Sequence, residues 1–203
     1  MVTRRPTLGT RRFIEVYREM TSTRRLWFRD DQFFKLTALW SDMTEGDENW
    51  KINKVKASDG SDFARTASVV ALDDRVILNV DERLWELAED GCLFSNFMLA
   101  HEMSHVALDH HARGAVAKHF RLYSGPNGAA NLPPTVEELE ANYAAAFLAC
   151  GPAILNWRID DLDLARRAYS DPHYVRKVRR LLRTEVAQRE MLRQSKPRTR
   201  VIL

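Results

Sequence analysis

Apolar residues follow two rhythms along this chain. Phe13, Ile14, Val16, Tyr17 and Met20 recur at helical spacing, as do Phe33, Phe34, Leu36, Leu39 and Trp40. The first set predicts an amphipathic helix from Phe13 that Thr21-Ser22-Thr23 breaks. The second predicts a helix over 30–43, with Asp30 or Asp31 as its cap. Residues 44–49 then read as a turn or loop. The other rhythm is shorter: residues 50–55 alternate apolar with polar and predict a short strand. Residues 67–72 and 76–80 are apolar and rich in β-branched side chains. With Asp73-Asp74-Arg75 between them as a turn, they predict a β-hairpin.

From Asp81 the helical rhythm returns. Asp81 is placed to cap a helix over 82–89, which Asp90-Gly91 ends. A second helix is predicted from Leu93 or Ser95 to His111, with Gly114 as its stop. A polar stretch containing Pro126, Pro133 and Pro134 runs to Thr135. Thr135 then opens a helix that Gly151-Pro152 terminates, and its Ala144-Ala145-Ala146 run lets a neighbouring helix approach closely. Three further helical pieces are expected at 153–157, 160–169 and 171–193, the last capped at Ser170-Asp171-Pro172. The pattern predicts an α+β fold, mostly helical, with a small sheet or hairpin packed on the helix of residues 95–111. Residues 1–152 are expected to form one domain and 153–203 a helical, basic extension of it.

That helix carries the chemistry. His101-Glu102-Met103-Ser104-His105 reads H-E-x-x-H. Residues four apart on a helix project within about 40° of each other. His101 and His105 can therefore offer ring nitrogens to one zinc ion, while Glu102 sits beside the metal as a base. The five-residue pattern alone is weak, because it specifies only three identities. A polar helix face with two solvated histidines would look the same.

Two histidines need a third protein ligand, and three candidates stand in the sequence. His111 has suitable spacing, but on a continuing helix it lies about 280° from His101, and Leu108 occupies the position where a glycine would let the helix end. Asp109 lies one turn past His105, and a continuing helix carries it away from the metal. The third candidate is the cluster Glu137, Glu138 and Glu140. Glu138 and Asn142 are four apart and share a face, so a packed helix can give Glu138 to the metal and Asn142 to a ligand histidine. Thr135 with Glu138 also spells a capping box, a purely structural use of the same glutamate. Glu140 is the alternative ligand; Glu137 points elsewhere.

Charge and composition change the picture only locally. The chain has 203 residues, 45% hydrophobic and 29% charged, with a net charge of +3, which suits a globular protein. No apolar run approaches the ~20 residues of a membrane span, and no signal-peptide core follows the basic N-terminus. Cys92 and Cys150 are too few for a disulfide framework, so a reducing cytoplasm is the expected setting. From Arg166 to Leu203, twelve Lys/Arg face three acids. Arg176, Lys177, Arg179, Arg180 and Arg183 form a cluster that could attract nucleic-acid phosphates. No base-reading motif accompanies it, and a solvated basic face is the preferred reading.

Two blocks together carry a resemblance. F-M-L-A-H-E-M-S-H-V-A-L-D-H-H, followed by E-E-L-E-A-N-Y-A-A-A-F-L, is similar to the ImmA/IrrE family of metallopeptidases over about residues 76–152. Ser104 replaces the family's usual glycine, and Asp109 stands where histidine is common. Residues 149–152 depart from the family's L-M-P. The resemblance implies a zincin-like fold and a zinc ion held by His101, His105 and Glu138, with Glu102 as catalytic base. It also implies a zinc-dependent endopeptidase that cleaves or inactivates a helix-turn-helix repressor. A zinc-binding regulator that acts on a repressor by contact, without proteolysis, would carry the same residues.

Overall fold

The computed structural model describes residues 7–58, 66–72, 74–110 and 135–195. Among them are eight α-helices and a three-stranded sheet, in the order α1 (Thr10–Arg24), α2 (Leu36–Gly46), β1 (Trp50–Val55), β2 (Ala67–Leu72), β3 (Arg75–Asp81), α3 (Glu82–Glu89), α4 (Leu93–Ala107), α5 (Val136–Cys150), a 3-10 turn (Gly151–Leu155), α6 (Asp161–Arg167), α7 (Pro172–Leu182) and α8 (Glu185–Ser195). The fold is mostly helical α+β. β3 is central: β2 pairs with it antiparallel, as the predicted hairpin, and β1 pairs with it parallel. The free edge of β2 faces α4.

Several helix boundaries differ from the expectation. Thr21-Ser22-Thr23 does not break α1, because the Thr21 hydroxyl donates back to the Tyr17 carbonyl at 2.8 Å and the helix runs on to Arg24. Neither Asp30 nor Asp31 caps α2. Their carboxylates are held by Arg25 and Arg29, and α2 begins only at Leu36. The Leu36 amide is instead taken by the Asn96 side chain of α4 at 2.8 Å, a cap supplied by a different helix. The helix expected over 171–193 is two helices, α7 and α8, and Thr184 caps the second by accepting from the Ala187 amide at 3.3 Å.

Other local signals act as written. Asp81 caps α3 through the Arg83 amide, and Asp171 caps α7 through the amides of His173 and Tyr174. Gly91 (φ +89) follows the end of α3. Gly151 (φ +53) follows α5 and lies directly against the Arg24 side chain.

α4 is the axis of the core. Eleven of its residues are buried, among them Phe97, Leu99 and Met103, each contributing about 1.5–3 kcal/mol by leaving water. A helix buried on nearly every face needs neighbours on nearly every face. α5 lies along it, α2 and α3 cover its first half, and β2 flanks it. Ala144, Ala145 and Ala146 are fully buried on α5. α1 closes the other side of α5 through ring contacts of Phe13 with Tyr143 and Phe147 and of Tyr17 with Phe147, all at 5.2–5.4 Å. Trp40 fixes α2 to α4 by donating from Nε1 to the Leu99 carbonyl at 3.2 Å. The helices after Gly151 join the same core through Leu164, Val175, Val178 and Leu182.

Candidate metal centre

The second half of α4 brings His101, Glu102 and His105 into the interior, and all three are buried. α5 brings Glu138 to them. Its carboxylate oxygen Oε2 lies 3.3 Å from His101 Nε2 and 3.7 Å from His105 Nε2, and the two nitrogens are 3.0 Å apart. These three atoms form a triangle whose edges can be compared with a metal's demands. Ligand atoms on a tetrahedral zinc-sized ion, with bonds of about 2.0–2.1 Å, stand about 3.3 Å apart. The observed edges bracket that value. Among the described residues the buried Glu138 Oε2 has no hydrogen-bond partner, although two ring nitrogens lie within 4 Å. Such an oxygen, aimed at the same centre as two nitrogens, fits a shared cation better than a direct bond. His101, His105 and Glu138 are thus a buried group that could hold a metal ion.

The electrostatics suit that use. Burial pushes the His101 imidazole down to about 4, against the pull of Glu138, so it is neutral near pH 7 as a metal ligand must be. Burial also opposes charge on Glu138, but the proximity of the His101 and His105 rings outweighs it and holds its carboxyl at about 2. Glu102 is the opposite case. Burial and the neighbouring Glu138 charge raise its carboxyl well above the usual range, against one hydrogen bond from the Val69 amide. That bond, at 2.9 Å, uses Oε2; Oε1 has no hydrogen-bond partner among the described residues.

The glutamates of α5 part company by helical geometry. Thr135 Oγ1 accepts from the Glu138 amide at 3.3 Å, so the cap forms while the Glu138 side chain serves the histidines. Glu140, two residues on, faces the other way. It takes a two-pronged ion pair from Arg12 of α1, Nε to Oε1 at 3.0 Å and Nη2 to Oε2 at 2.9 Å. Asn142 shares the Glu138 face, but its Nδ2 donates to the Glu138 carbonyl at 2.7 Å.

α4 stops at Ala107, four residues before the predicted end. Leu108 leaves the helical region and Asp109 adopts φ +53, a left-handed conformation that Asp tolerates better than most side chains. The reversal lets the His110 amide bond the His105 carbonyl at 3.1 Å, a helix-ending pattern. Asp109 points to solvent, away from the histidines. His111 lies outside the described residues, and the continuing helix assumed for it ends short of it.

The turn also buries His110, a residue the sequence pattern did not single out. His110 Nδ1 lies 2.8 Å from His105 Nδ1, and its Nε2 lies 3.2 Å from Glu140 Oε2. Arg12 was likewise missed, because nothing local ties a basic N-terminal residue to a glutamate 128 positions away. Asp109 before His110 was the only available sign that the helix turns there.

The other candidates lie elsewhere. Tyr143 and Tyr174 line a separate cavity of about 470 Å³ with Lys177, whose ammonium sits 5.2 and 5.6 Å from their ring centres. His173 is exposed and packs edge-on against Tyr174. The basic cluster on α7 is partly consumed by the fold. Arg179 is buried and donates to the carbonyls of Ile159 and Asn156 and to Asp161, and Arg183 lies 4.7 Å over the Trp157 ring. No helix among the described residues is long and apolar enough to cross a membrane, and Cys92 and Cys150 are both free thiols. Compared with family models, with curated proteins and with solved structures, the chain matches none.

Proposed function

We propose that this protein is a zinc-dependent endopeptidase with a zincin-like arrangement of helix, second helix and edge strand. One observation carries the reading: the buried Glu102 stands beside the His101–His105–Glu138 triangle, with Oε2 held by the β2 edge and Oε1 left without a partner among the described residues. Two imidazoles and a carboxylate are a donor set that suits zinc. A zinc ion bound there would polarise a peptide carbonyl and make a water molecule more acidic. Glu102 does the proton work. Its raised carboxyl is a better proton acceptor than an ordinary glutamate, and Oε1 can receive a proton and pass it to the departing amine. The Val69 amide keeps Oε2 fixed, so only one oxygen is available for transfer.

β2 supplies a docking rail. In an antiparallel pair, alternate residues turn their main-chain groups away from the partner strand. The Asp81 amide bonds the Thr66 carbonyl, which places Ala67, Val69 and Ala71 with their main-chain groups on the free side. Glu102 occupies the Val69 amide. The remaining groups of this edge can take an extended peptide by strand addition. The resemblance to ImmA/IrrE proteins suggests the substrate class, a helix-turn-helix repressor, and the two free thiols suit a reducing cytoplasm.

The depth of the site supports a second reading. His101 is 0% and Glu102 1% exposed, so a metal-stabilised regulator that binds a repressor without cutting it is the alternative. The deciding experiment is incubation of a helix-turn-helix repressor with the zinc-loaded protein and with Glu102→Gln, analysed by mass spectrometry. Fragments from the first and not the second establish the peptidase. Binding without fragments from either establishes the regulator.

A further inference from the structure

We infer that the N-terminal helix completes the metal centre: Arg12, Glu140 and His110 form a relay that holds His105 in the Nδ1–H tautomer, presenting a bare Nε2 to His101 and Glu138. The inference rests on the metal-binding reading of that group and adds three positioning residues to it.

The relay is read from the outside inwards. The Arg12 guanidinium can only donate, and it grips both oxygens of Glu140, at 3.0 and 2.9 Å. An arginine-paired carboxylate is an acceptor. His110 Nε2, 3.2 Å from Glu140 Oε2, must therefore carry its ring proton there. With His110 taken as the neutral imidazole, its one ring proton sits on Nε2, so Nδ1 is an acceptor. The atom that meets it, at 2.8 Å, is His105 Nδ1, which must then be the donor. His105 has no second ring proton, and its Nε2 is left with an exposed lone pair. That is the nitrogen that lies 3.0 Å from His101 Nε2 and 3.7 Å from Glu138 Oε2.

Each link depends on tertiary placement. The Asp109 turn aims His110 back at α4. Glu140 reaches His110 from α5, and Arg12 reaches Glu140 from α1 while a second arm pairs with Glu19 at 2.9 Å. His110 and Glu140 are buried, which shields their contact from bulk water. Outer partners that orient a ligand histidine typically change metal affinity 10- to 100-fold when removed.

The test begins on the unaltered, metal-free protein. Long-range proton–nitrogen NMR correlations of ¹⁵N-histidine-labelled protein should show His105 with a protonated Nδ1 and a bare Nε2, and His110 with the reverse. The opposite tautomer at His105 overturns the inference, whether or not the protein proves to be a peptidase. Zinc affinity is then measured by chelator competition. His110→Leu should weaken binding 10- to 100-fold, and His110→Gln, whose carbonyl can accept from His105 Nδ1, should recover most of the loss. Arg12→Ala, at a part-exposed position, should give a smaller loss that Arg12→Lys reverses in part. Unchanged affinity in folded His110→Leu or Arg12→Ala overturns the relay. Absence of zinc binding by the unaltered protein would remove the proposed function while leaving the tautomer result to stand or fall alone.

Discussion

The Val69 amide donates to Glu102 Oε2 at 2.9 Å, joining the edge strand of the sheet to the helix that carries both histidines. That bond orients a carboxylate that is only 1% exposed. With it, the glutamate has one fixed oxygen and one open oxygen.

Glu102→Gln should therefore preserve the fold and the zinc content while cleavage falls by about 10²–10⁴-fold, the usual worth of a positioned general base. The Gln side-chain carbonyl can still accept from Val69, so circular dichroism and zinc stoichiometry should match the unaltered protein. Retained cleavage would remove Glu102 from its assigned role.

Zinc should stabilise the folded chain by mass action. At 100 times the dissociation constant the gain is about 2.7 kcal/mol, a rise in Tm of roughly 5–10 °C for a chain of this size. Glu138→Ala and His101→Ala should abolish most of that rise in a calorimetric scan with and without the metal. An equal rise in Glu138→Ala would place the ion elsewhere.

Acid should weaken the fold partly through Glu140. Burial raises its carboxyl, but His110 and Arg12 outweigh burial and hold it at about 2, against 4.5 for an unperturbed glutamate. A depressed folded-state value means the unfolded chain takes up the proton first. Stability from this group is complete above about pH 5 and is lost as pH falls toward 2. Unfolding by urea at stepped pH should show a shallower acid decline in Glu140→Gln than in the unaltered protein, and parallel declines would contradict the assignment.

Gly151→Ala should be costly for its size. Gly151 has φ +53, and an added Cβ would meet Arg24 Nε at 2.6 Å and Cδ at 2.9 Å. Arg24 cannot easily withdraw, because it is buried and donates to the carbonyls of Arg29 and Gln32. A loss of about 2 kcal/mol is expected, seen as a Tm lowered by roughly 4–8 °C. A change below 1 °C would show that Arg24 is not fixed there.

The basic cluster on α7 should divide by burial. Arg179→Met removes bonds to Ile159, Asn156 and Asp161 and should cost about 3 kcal/mol. Arg180→Gln, at an exposed position, should leave Tm unchanged. Retention on immobilised DNA that falls with Arg180→Gln would instead favour a nucleic-acid surface.

What the sequence determined by itself is local. Apolar spacing placed Phe13 to Met20 on a helix and paired 67–72 with the next strand. Asp81, Thr135 and Asp171 announced the starts of α3, α5 and α7, because a cap acts within three residues of itself. Four-residue spacing put His101 and His105 on one face, and Glu138 on the face it shares with Asn142. Tertiary structure decided everything that depends on residues distant in the chain. Asp30 and Asp31 look like caps until Arg25 and Arg29 take their carboxylates, and α2 then starts where Asn96 can reach it. The end of α4 depends on a left-handed Asp109 that places His110 against His105. Glu138 and Glu140 are equal candidates in one dimension. In three dimensions α4 meets one and α1 the other, because residues two apart on a helix point about 160° away from each other.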